Sequence, residues 1–165
     1  MIVVADSDRV AFRRLSQEQQ RRRAGLFPGE THYREPMARA ATPAIVALLA
    51  AGVPHEVLSY HHDERNPSFG DEAVAELVAA GVDVTAEQVF KTLVIALPKG
   101  LAVAVLPVPY KLSPKAAAAA LGVPRAEMAD RAAVARSTGY VLGGISPLGQ
   151  RKALPTVIDD SVYAW

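Results

Sequence analysis

The segment from Ser137 to Asp159 constrains the fold more than any other, because it concentrates glycine and proline in the sequence STGYVLGGISPLGQRKALPTVID. It holds four of the eleven glycines. Gly143 and Gly144 can adopt positive φ and let a bound group approach their amides closely. Pro147 fixes its own φ and favours an extended Ser146 before it. The pattern predicts a rigid binding loop, and a tight turn that merely needs glycine is the alternative.

Strand signals surround this loop and recur earlier in the chain. Short apolar runs predict strands at Tyr140–Leu142 before the loop and Thr156–Ile158 after it. Two longer apolar runs, separated by the turn residues Pro98-Lys99-Gly100, predict a β-hairpin. The two strands of the hairpin are Val89–Leu97 and Leu101–Val108. Further strands are expected from alternation or apolar content at Val53–Tyr60 and Ser161–Trp165.

Helix starts and stops are equally clear in the sequence. Thr42-Pro43 predicts a hydroxyl-capped helix that ends at Gly52, and Ser113-Pro114 opens an alanine-rich helix that ends at Gly122. A third helix is predicted from Asp71 to Ala80 before Gly81.

Composition excludes several classes of protein. The 165 residues are 50% apolar and 21% charged, which is ordinary for one domain with a sizeable core. Cysteine is absent, so disulfides, thiolate metal sites and thiol nucleophiles are excluded. No apolar run approaches the roughly 20 residues needed to span a bilayer, and the N-terminus lacks a signal-peptide pattern. We predict a cytoplasmic protein with no membrane partner.

Charge separates residues 1–36 from the rest. They hold seven arginines and five acidic residues, a net of +2, whereas residues 37–165 carry a net of −1. We expect 1–36 to be a poorly ordered tail, with a short exposed helix at Phe12–Arg23, and 37–165 to be the domain, with Met37 as an alternative start. The domain is not basic enough to grip long nucleic acid, so we expect no DNA partner. RNA binding would require contact at one end or help from a protein.

Standard catalytic patterns are absent, and two alternatives are weak. His61-His62 lies beside carboxylates but lacks a third ligand at metal-site spacing, so we predict neither a metal nor a cofactor. A triad of Ser146, His62 and Asp63 is disfavoured because adjacent His and Asp cannot easily orient each other. A candidate site remains at Lys91, Tyr60, the loop amides and the Ser146 hydroxyl, which together can hold a polarised carbonyl or a phosphate.

Lys91 is the unusual residue of the hairpin. It lies among apolar neighbours, on the face of its strand opposite Phe90 and Thr92. A lysine there is costly unless it reaches solvent, a partner or a ligand. A lysine that simply extends to solvent from the strand's start is the alternative.

At this point the chain resembles the YbaK/EbsC family. The resemblance rests on six runs between about residues 42 and 160: TPAIVALLAAGVPHEVLSYHHD, FGDEAV, QVFKTLV, LAVAVLPVPYKLSPKAAAAALG, EMAD and RSTGYVLGGISPLGQRKALPTVID. It is most similar to the Cys-tRNA(Pro) deacylases, relatives of the editing domain of bacterial prolyl-tRNA synthetase. The resemblance implies an α/β fold in which helices surround a curled mixed sheet.

The resemblance also implies an enzyme, a hydrolase that deacylates mischarged tRNA in translation. It implies Cys-tRNA(Pro) as substrate, with the substrate's own thiol attacking its ester, and prolyl-tRNA synthetase as a partner beside the tRNA acceptor end. Lys91 matches the family's essential lysine. Substrate-binding residues implied by matching motifs are Tyr60, Phe69, Thr92, Gly143, Gly144, Ser146 and Pro147.

Two departures leave alternatives open. The family continues for about 30 to 40 residues beyond the position of Trp165, so we expect the domain to be truncated at its C-terminus. Residues 1–36 match nothing in the family. A deacylase for another substrate, such as Ala-tRNA(Pro), and a catalytically silent module that binds tRNA or a synthetase are the alternative functions.

Overall fold

The computed structural model describes residues 2–4, 42–58, 60, 62–63, 65–66 and 68–165. The α-helices in this part of the chain are α1 (Pro43–Ala50), α2 (Phe69–Ala79), α3 (Pro114–Ala120) and α4 (Arg131–Thr138). The strands are β1 (Ile2–Val4), β2 (Glu56–Leu58), β3 (Phe90–Ala96), β4 (Leu101–Pro107), β5 (Glu127–Met128) and β6 (Thr156–Ile158). Two 3₁₀ turns span Ala86–Gln88 and Asp160–Ala164.

A mixed four-stranded sheet in the order β5-β3-β4-β6 forms the centre of the fold. The predicted hairpin is confirmed: β3 and β4 are antiparallel, with Phe90 opposite Pro107 and Ala96 opposite Leu101. β5 pairs antiparallel with β3, whereas β6 pairs parallel with β4. Thus the segment that carries residues 139–150, which we call the glycine loop, returns to the sheet next to the hairpin.

A second pairing joins the N-terminal end of the chain to the segment before α2. β1 is antiparallel to β2, with Ile2 opposite Leu58. Residues 5–41, which include the helix predicted at Phe12–Arg23 and Met37, lie outside the described residues. His61 lies outside them too.

Local capping explains the helix boundaries. Thr42 Oγ1 accepts from the Ile45 amide at 3.4 Å, and Ser113 Oγ accepts from the Ala116 amide at 3.2 Å. These confirm two predicted starts, since a capping hydroxyl satisfies an amide that has no partner within the helix. Asp130 caps α4 in the same way, by accepting from Ala132 and Ala133.

Both apolar clusters lie on one face of the β3–β4 hairpin. Toward the hairpin turn, Ile95, Ala102 and Ala104 pack with Ala117 of α3, and the small side chains let helix and sheet approach closely. At the other end, Leu77 of α2 packs with Val89 and Val108. Strand alternation places Lys91 in this same row, between the two clusters.

The boundaries of two predicted elements change. α2 begins at Phe69 rather than Asp71, and the strand predicted over Val53–Tyr60 is reduced to β2. Pro54 cannot donate to a ladder, and the backbone oxygen of Val53 instead bonds to the His55 ring at 2.8 Å.

Two predicted strands are wrong. Tyr140–Leu142 is not a strand, because Gly139 ends α4 at φ +77° and Tyr140 turns inward, where it is buried. Ser161–Trp165 is not a strand either, because the Asp159 carboxylate accepts from the Ser161 amide at 3.1 Å and starts a 3₁₀ turn. The glycine loop therefore connects a helix to a strand.

Helix length and hydropathy bear on the membrane prediction. Within the described ranges, no helix has the length and apolar character needed to cross a bilayer.

Candidate functional site

Lys91 has a partner inside the fold. Its side chain is half-buried, and Nζ donates a hydrogen bond to the Val108 carbonyl at 2.8 Å. A lysine ammonium has three donors, so this bond leaves two. Neither of the two has a partner among the residues that the structure describes. Lys91 therefore places a positive charge and two unpaired donors at the end of the hairpin away from its turn.

A continuous series of contacts joins Lys91 to the glycine loop. Val108, whose carbonyl holds Lys91, packs so closely on Gly70 that a Cβ there would lie 3.0 Å from both Val108 methyl groups. Phe69 is the preceding residue, and its ring covers Gly143. A Cβ on Gly143 would be 2.5–2.8 Å from three ring atoms. The fold thus links three of the predicted site residues, Lys91, Phe69 and Gly143.

A tight turn determines which loop amides face outward. The Gly144 amide donates to the Val141 carbonyl at 3.1 Å, and Gly143 has φ +86°. Positive φ at the third residue of such a turn favours glycine. The turn uses the Gly144 amide, whereas the Gly143 amide has no partner among the described residues. Of the two amides predicted to bind a carbonyl, Gly143 is the one with its donor available.

The second half of the loop is held by Tyr140. Its hydroxyl donates to the Leu148 carbonyl at 2.7 Å. Burial raises the pKa of Tyr140, and hydrogen bonds from Ser146 and the Ala44 backbone oppose that rise. Ser146 Oγ also accepts from the Leu148 amide at 3.1 Å. The Ser146 hydroxyl therefore supports the shape of the loop, and the half-buried Pro147 follows it.

Glu72 holds the His62 ring that stacks on Phe69, and the sequence analysis did not identify this residue. Its carboxylate bonds to His62 Nδ1 at 2.5 Å and accepts from the Asp63 amide at 2.8 Å. The His62 ring stacks on Phe69 with centroids 4.6 Å apart. Burial and then the negative charge of Glu72 raise the pKa of Tyr60. The available signal was an acidic residue in the first turn of a helix, close in sequence to a histidine.

The remaining candidates lie apart from this set. Thr92 is half-buried and pairs with Val105, on the face of β3 opposite Lys91. His62 is engaged with Glu72, so the disfavoured triad has no His62–Ser146 contact. In the described part of the chain, no three His, Cys, Asp or Glu side chains are grouped as they would be around a metal ion.

Gly143 and Gly144 differ sharply in what they tolerate, which gives a test of the loop. We expect Gly143→Ala to lower the free energy of unfolding by about 1–2 kcal/mol for its left-handed backbone. It should also displace the Phe69 ring and lower any activity of this site at least tenfold, since a shift of about 1 Å can cost roughly 100-fold. Urea unfolding and steady-state kinetics measure the two effects.

Gly144→Ala is the matched control. Its Cβ would meet the Val141 side chain at 3.5 Å, an ordinary contact, and Gly144 does not have positive φ. We expect a change in stability of less than about 0.5 kcal/mol. Equal effects of the two substitutions would contradict the packing of Phe69 on Gly143.

Comparisons with known proteins agree on the family and the fold. Residues 71–164 match the family model of the aminoacyl-tRNA editing domain. A protein of Enterococcus faecalis (strain ATCC 700802 / V583), provisionally named as the Cys-tRNA(Pro)/Cys-tRNA(Cys) deacylase EbsC, is 38% identical over 96 residues. The match covers 58% of this chain and 58% of that protein, so the chain spans less than two thirds of the relative's length.

Solved structures show the same fold at lower identity. A crystal structure provisionally described as a trans-editing enzyme for prolyl tRNA synthetase has a TM-score of 0.62 and 23% identity, and covers 78% of this chain and 77% of its own. The crystal structure of hypothetical protein APE2540 has a TM-score of 0.55 and 23% identity, over 68% of this chain and 69% of its own. These likenesses confirm the predicted α/β fold with a mixed sheet.

Proposed function

Because the chain belongs to the aminoacyl-tRNA editing domain family, whose model matches more than half of its length, we propose that it deacylates mischarged tRNA, with Cys-tRNA(Pro) as the preferred substrate. The observation that carries the proposal is the series of contacts from the Lys91 ammonium through Val108, Gly70 and Phe69 to Gly143. These contacts bring a cation and an available amide to the same part of the fold. The provisional name of the 38% identical relative supports the choice of substrate.

In this proposal Lys91 and Gly143 bind different oxygens of the acylated tRNA terminus. The two remaining Lys91 donors hold the terminal ribose or phosphate, and the Gly143 amide polarises the ester carbonyl. Phe69 and Tyr60 form the sides of the amino acid pocket, and Thr92, on the opposite face of β3 from Lys91, acts only through the position of that strand. Ser146 and Pro147 maintain the loop that presents Gly143. Each group positions or polarises the ester, and none of them attacks it.

The attacking atom in our proposal is the sulfur of the substrate. The cysteine thiol loses its proton, the sulfur bonds to the ester carbonyl carbon, and the carbon–oxygen bond to ribose breaks. The ribose oxygen takes up a proton, so the products are a cyclic thioester and an uncharged tRNA. Holding sulfur and carbonyl in a reactive arrangement contributes several kcal/mol, on the order of what positioning supplies in other enzymes.

A substrate change tests the proposed attack. Ser-tRNA(Pro) should be deacylated at least about tenfold more slowly than Cys-tRNA(Pro), because a serine hydroxyl stays protonated where a thiol forms the nucleophilic thiolate. Single-turnover release of radiolabelled amino acid measures both rates. Equal rates would mean that the protein activates a water molecule, and the proposal of attack by sulfur would be withdrawn.

Ala-tRNA(Pro) distinguishes the main alternative. The side chain of alanine has neither sulfur nor oxygen, so preferential release of alanine would identify a different deacylase. No release from any mischarged tRNA(Pro) would favour a binding module. We further propose prolyl-tRNA synthetase as a partner, because residues 37–165 carry a net charge of −1 and attract tRNA only weakly from a distance. Pull-down with the synthetase, with and without tRNA, tests that contact.

A further inference from the structure

A depression of about 280 Å³ lies on the other side of the hairpin from Lys91. It is formed by the hairpin turn at Gly100 and Leu101, by α4, and by the chain after the glycine loop. Leu101 pairs with Ala96, five residues along β3 from Lys91, which corresponds to about 17 Å. Alternation also places Leu101 on the opposite face of the sheet from the Lys91 row. The depression is therefore a separate feature from the candidate site.

The lining of this depression is positively charged. Arg136 and Lys152 both line it, both are exposed, and neither forms an ion pair in the described part of the protein. None of the lining residues is acidic. The lining therefore carries two positive charges and no negative one, although the domain as a whole is slightly acidic.

A hydroxyl adds a neutral donor to the two cations. Ser137 lines the depression, and its hydroxyl has no hydrogen-bond partner among the described residues. In that part of the chain no buried side-chain oxygen or nitrogen lacks a partner, so the Ser137 oxygen is open to solvent. It can therefore donate to a ligand that accepts hydrogen bonds in the depression.

The C-terminal end of α4 would repel an anion if its last carbonyl oxygens had no hydrogen-bond partners. Several of them, however, accept hydrogen bonds. Arg151 donates through its side chain to the Arg136 carbonyl at 3.4 Å and through its amide to the Thr138 carbonyl at 3.0 Å. The Gly139 amide donates to the Ala135 carbonyl at 3.1 Å. The negative end of the helix is therefore largely neutralised before a ligand arrives.

We propose that this depression binds a phosphodiester group of an RNA strand, with Arg136 and Lys152 contacting the phosphate oxygens and Ser137 donating to one of them. Arginine and lysine are the side chains that bind phosphate most effectively, and a hydroxyl donor complements them. The inference rests on the proposed function for its choice of RNA. Ser137 and Lys152 precede and follow the glycine loop in the sequence, so one continuous stretch of chain forms part of both the loop and the depression.

The test measures the binding of an RNA stem-loop that has a single-stranded 3′ end and carries no amino acid. Binding is followed by fluorescence anisotropy at several salt concentrations. The double variant Arg136→Gln, Lys152→Gln should bind roughly tenfold to a hundredfold more weakly near 0.1 M salt. The slope of log affinity against log salt should fall by about 1.4 to 1.8. Ser137→Ala should weaken binding a few-fold without changing that slope, because it removes no charge.

A matched control carries the same loss of charge elsewhere. Lys115 and Arg125 are exposed and do not line the depression. Lys115→Gln, Arg125→Gln should leave the affinity within about twofold of the unmodified chain, and thermal unfolding verifies that each variant is folded. An equal loss in both double variants, or an unchanged salt slope in the first, would overturn the proposal. The proposal would also be overturned if inorganic phosphate raised the unfolding temperature through Arg136 and Lys152 but RNA affinity did not depend on these two residues.

Because this RNA carries no amino acid, the binding result does not depend on ester hydrolysis. RNA binding that requires Arg136 and Lys152 in a protein without deacylase activity would support this site and remove the proposed function. Deacylation of Cys-tRNA(Pro) together with undiminished RNA affinity in the first double variant would keep the function and overturn the phosphate site.

Discussion

Lys91→Ala is expected to lower kcat/KM for Cys-tRNA(Pro) deacylation by about 100-fold to 1,000-fold. The proposed mechanism has no attacking group from the protein, so the rate depends on how well the tRNA terminus is held and polarised. Removal of one preorganised donor in such a site costs on the order of 10² to 10³. Single-turnover deacylation at subsaturating protein measures kcat/KM, and the same assay at saturating protein separates the rate of the bound complex from weaker binding.

Two companion variants separate charge from packing. Lys91→Met keeps most of the buried stem but has no ammonium, so it should lose activity as severely as Lys91→Ala. Lys115→Ala removes an exposed lysine on α3 and should leave deacylation within about twofold. Turnover close to that of the unmodified protein in Lys91→Met would eliminate the central role proposed for this residue.

Gly149→Ala is expected to destabilise the protein by more than about 3 kcal/mol. Gly149 has φ +62°, which costs alanine about 1–2 kcal/mol. A Cβ there would also overlap the carbonyl group of Pro43. That carbonyl belongs to the first turn of α1, next to the fully buried Ala44, so the backbone cannot easily move away. Urea unfolding followed by circular dichroism measures the change.

Gly122→Ala isolates the backbone contribution. Gly122 has φ +66°, nearly the same as Gly149, but a Cβ would meet nothing within 4 Å. It should therefore cost only the 1–2 kcal/mol or so of the left-handed conformation. If the two substitutions were equally destabilising, the close contact between the glycine loop and α1 would be refuted.

These contacts explain why a loop of small residues can present a defined surface. Phe69 lies over Gly143 at one end of the loop, and Pro43 lies against Gly149 at the other. Tyr140 and Ser146 connect the two ends by hydrogen bonds. The loop is thus held by α1, by α2 and by hydrogen bonds within itself, which gives the preorganisation that a site without a nucleophile requires.

Much of the secondary structure was predictable because its signals are local. A capping hydroxyl before proline determines where α1 and α3 begin, and two apolar runs around a Pro-Lys-Gly turn determine the β3–β4 hairpin. The two wrong strands, at Tyr140–Leu142 and Ser161–Trp165, are short apolar runs that resemble strands. Their conformation depends on the αL end of α4 and on the Asp159 cap, which outweigh a weak preference for strand.

For the site, the sequence by itself determined that Lys91 would be an isolated cation in an apolar strand and that Gly143 would permit close approach. Only the tertiary structure decided that the two belong to one set of contacts, since residues 52 positions apart meet through α2. It also decided that the Gly144 amide is used in a turn and that Glu72 holds His62 beneath Phe69. Local patterns determine the conformation of a segment, whereas the pairing of distant side chains depends on how the helices pack against the sheet.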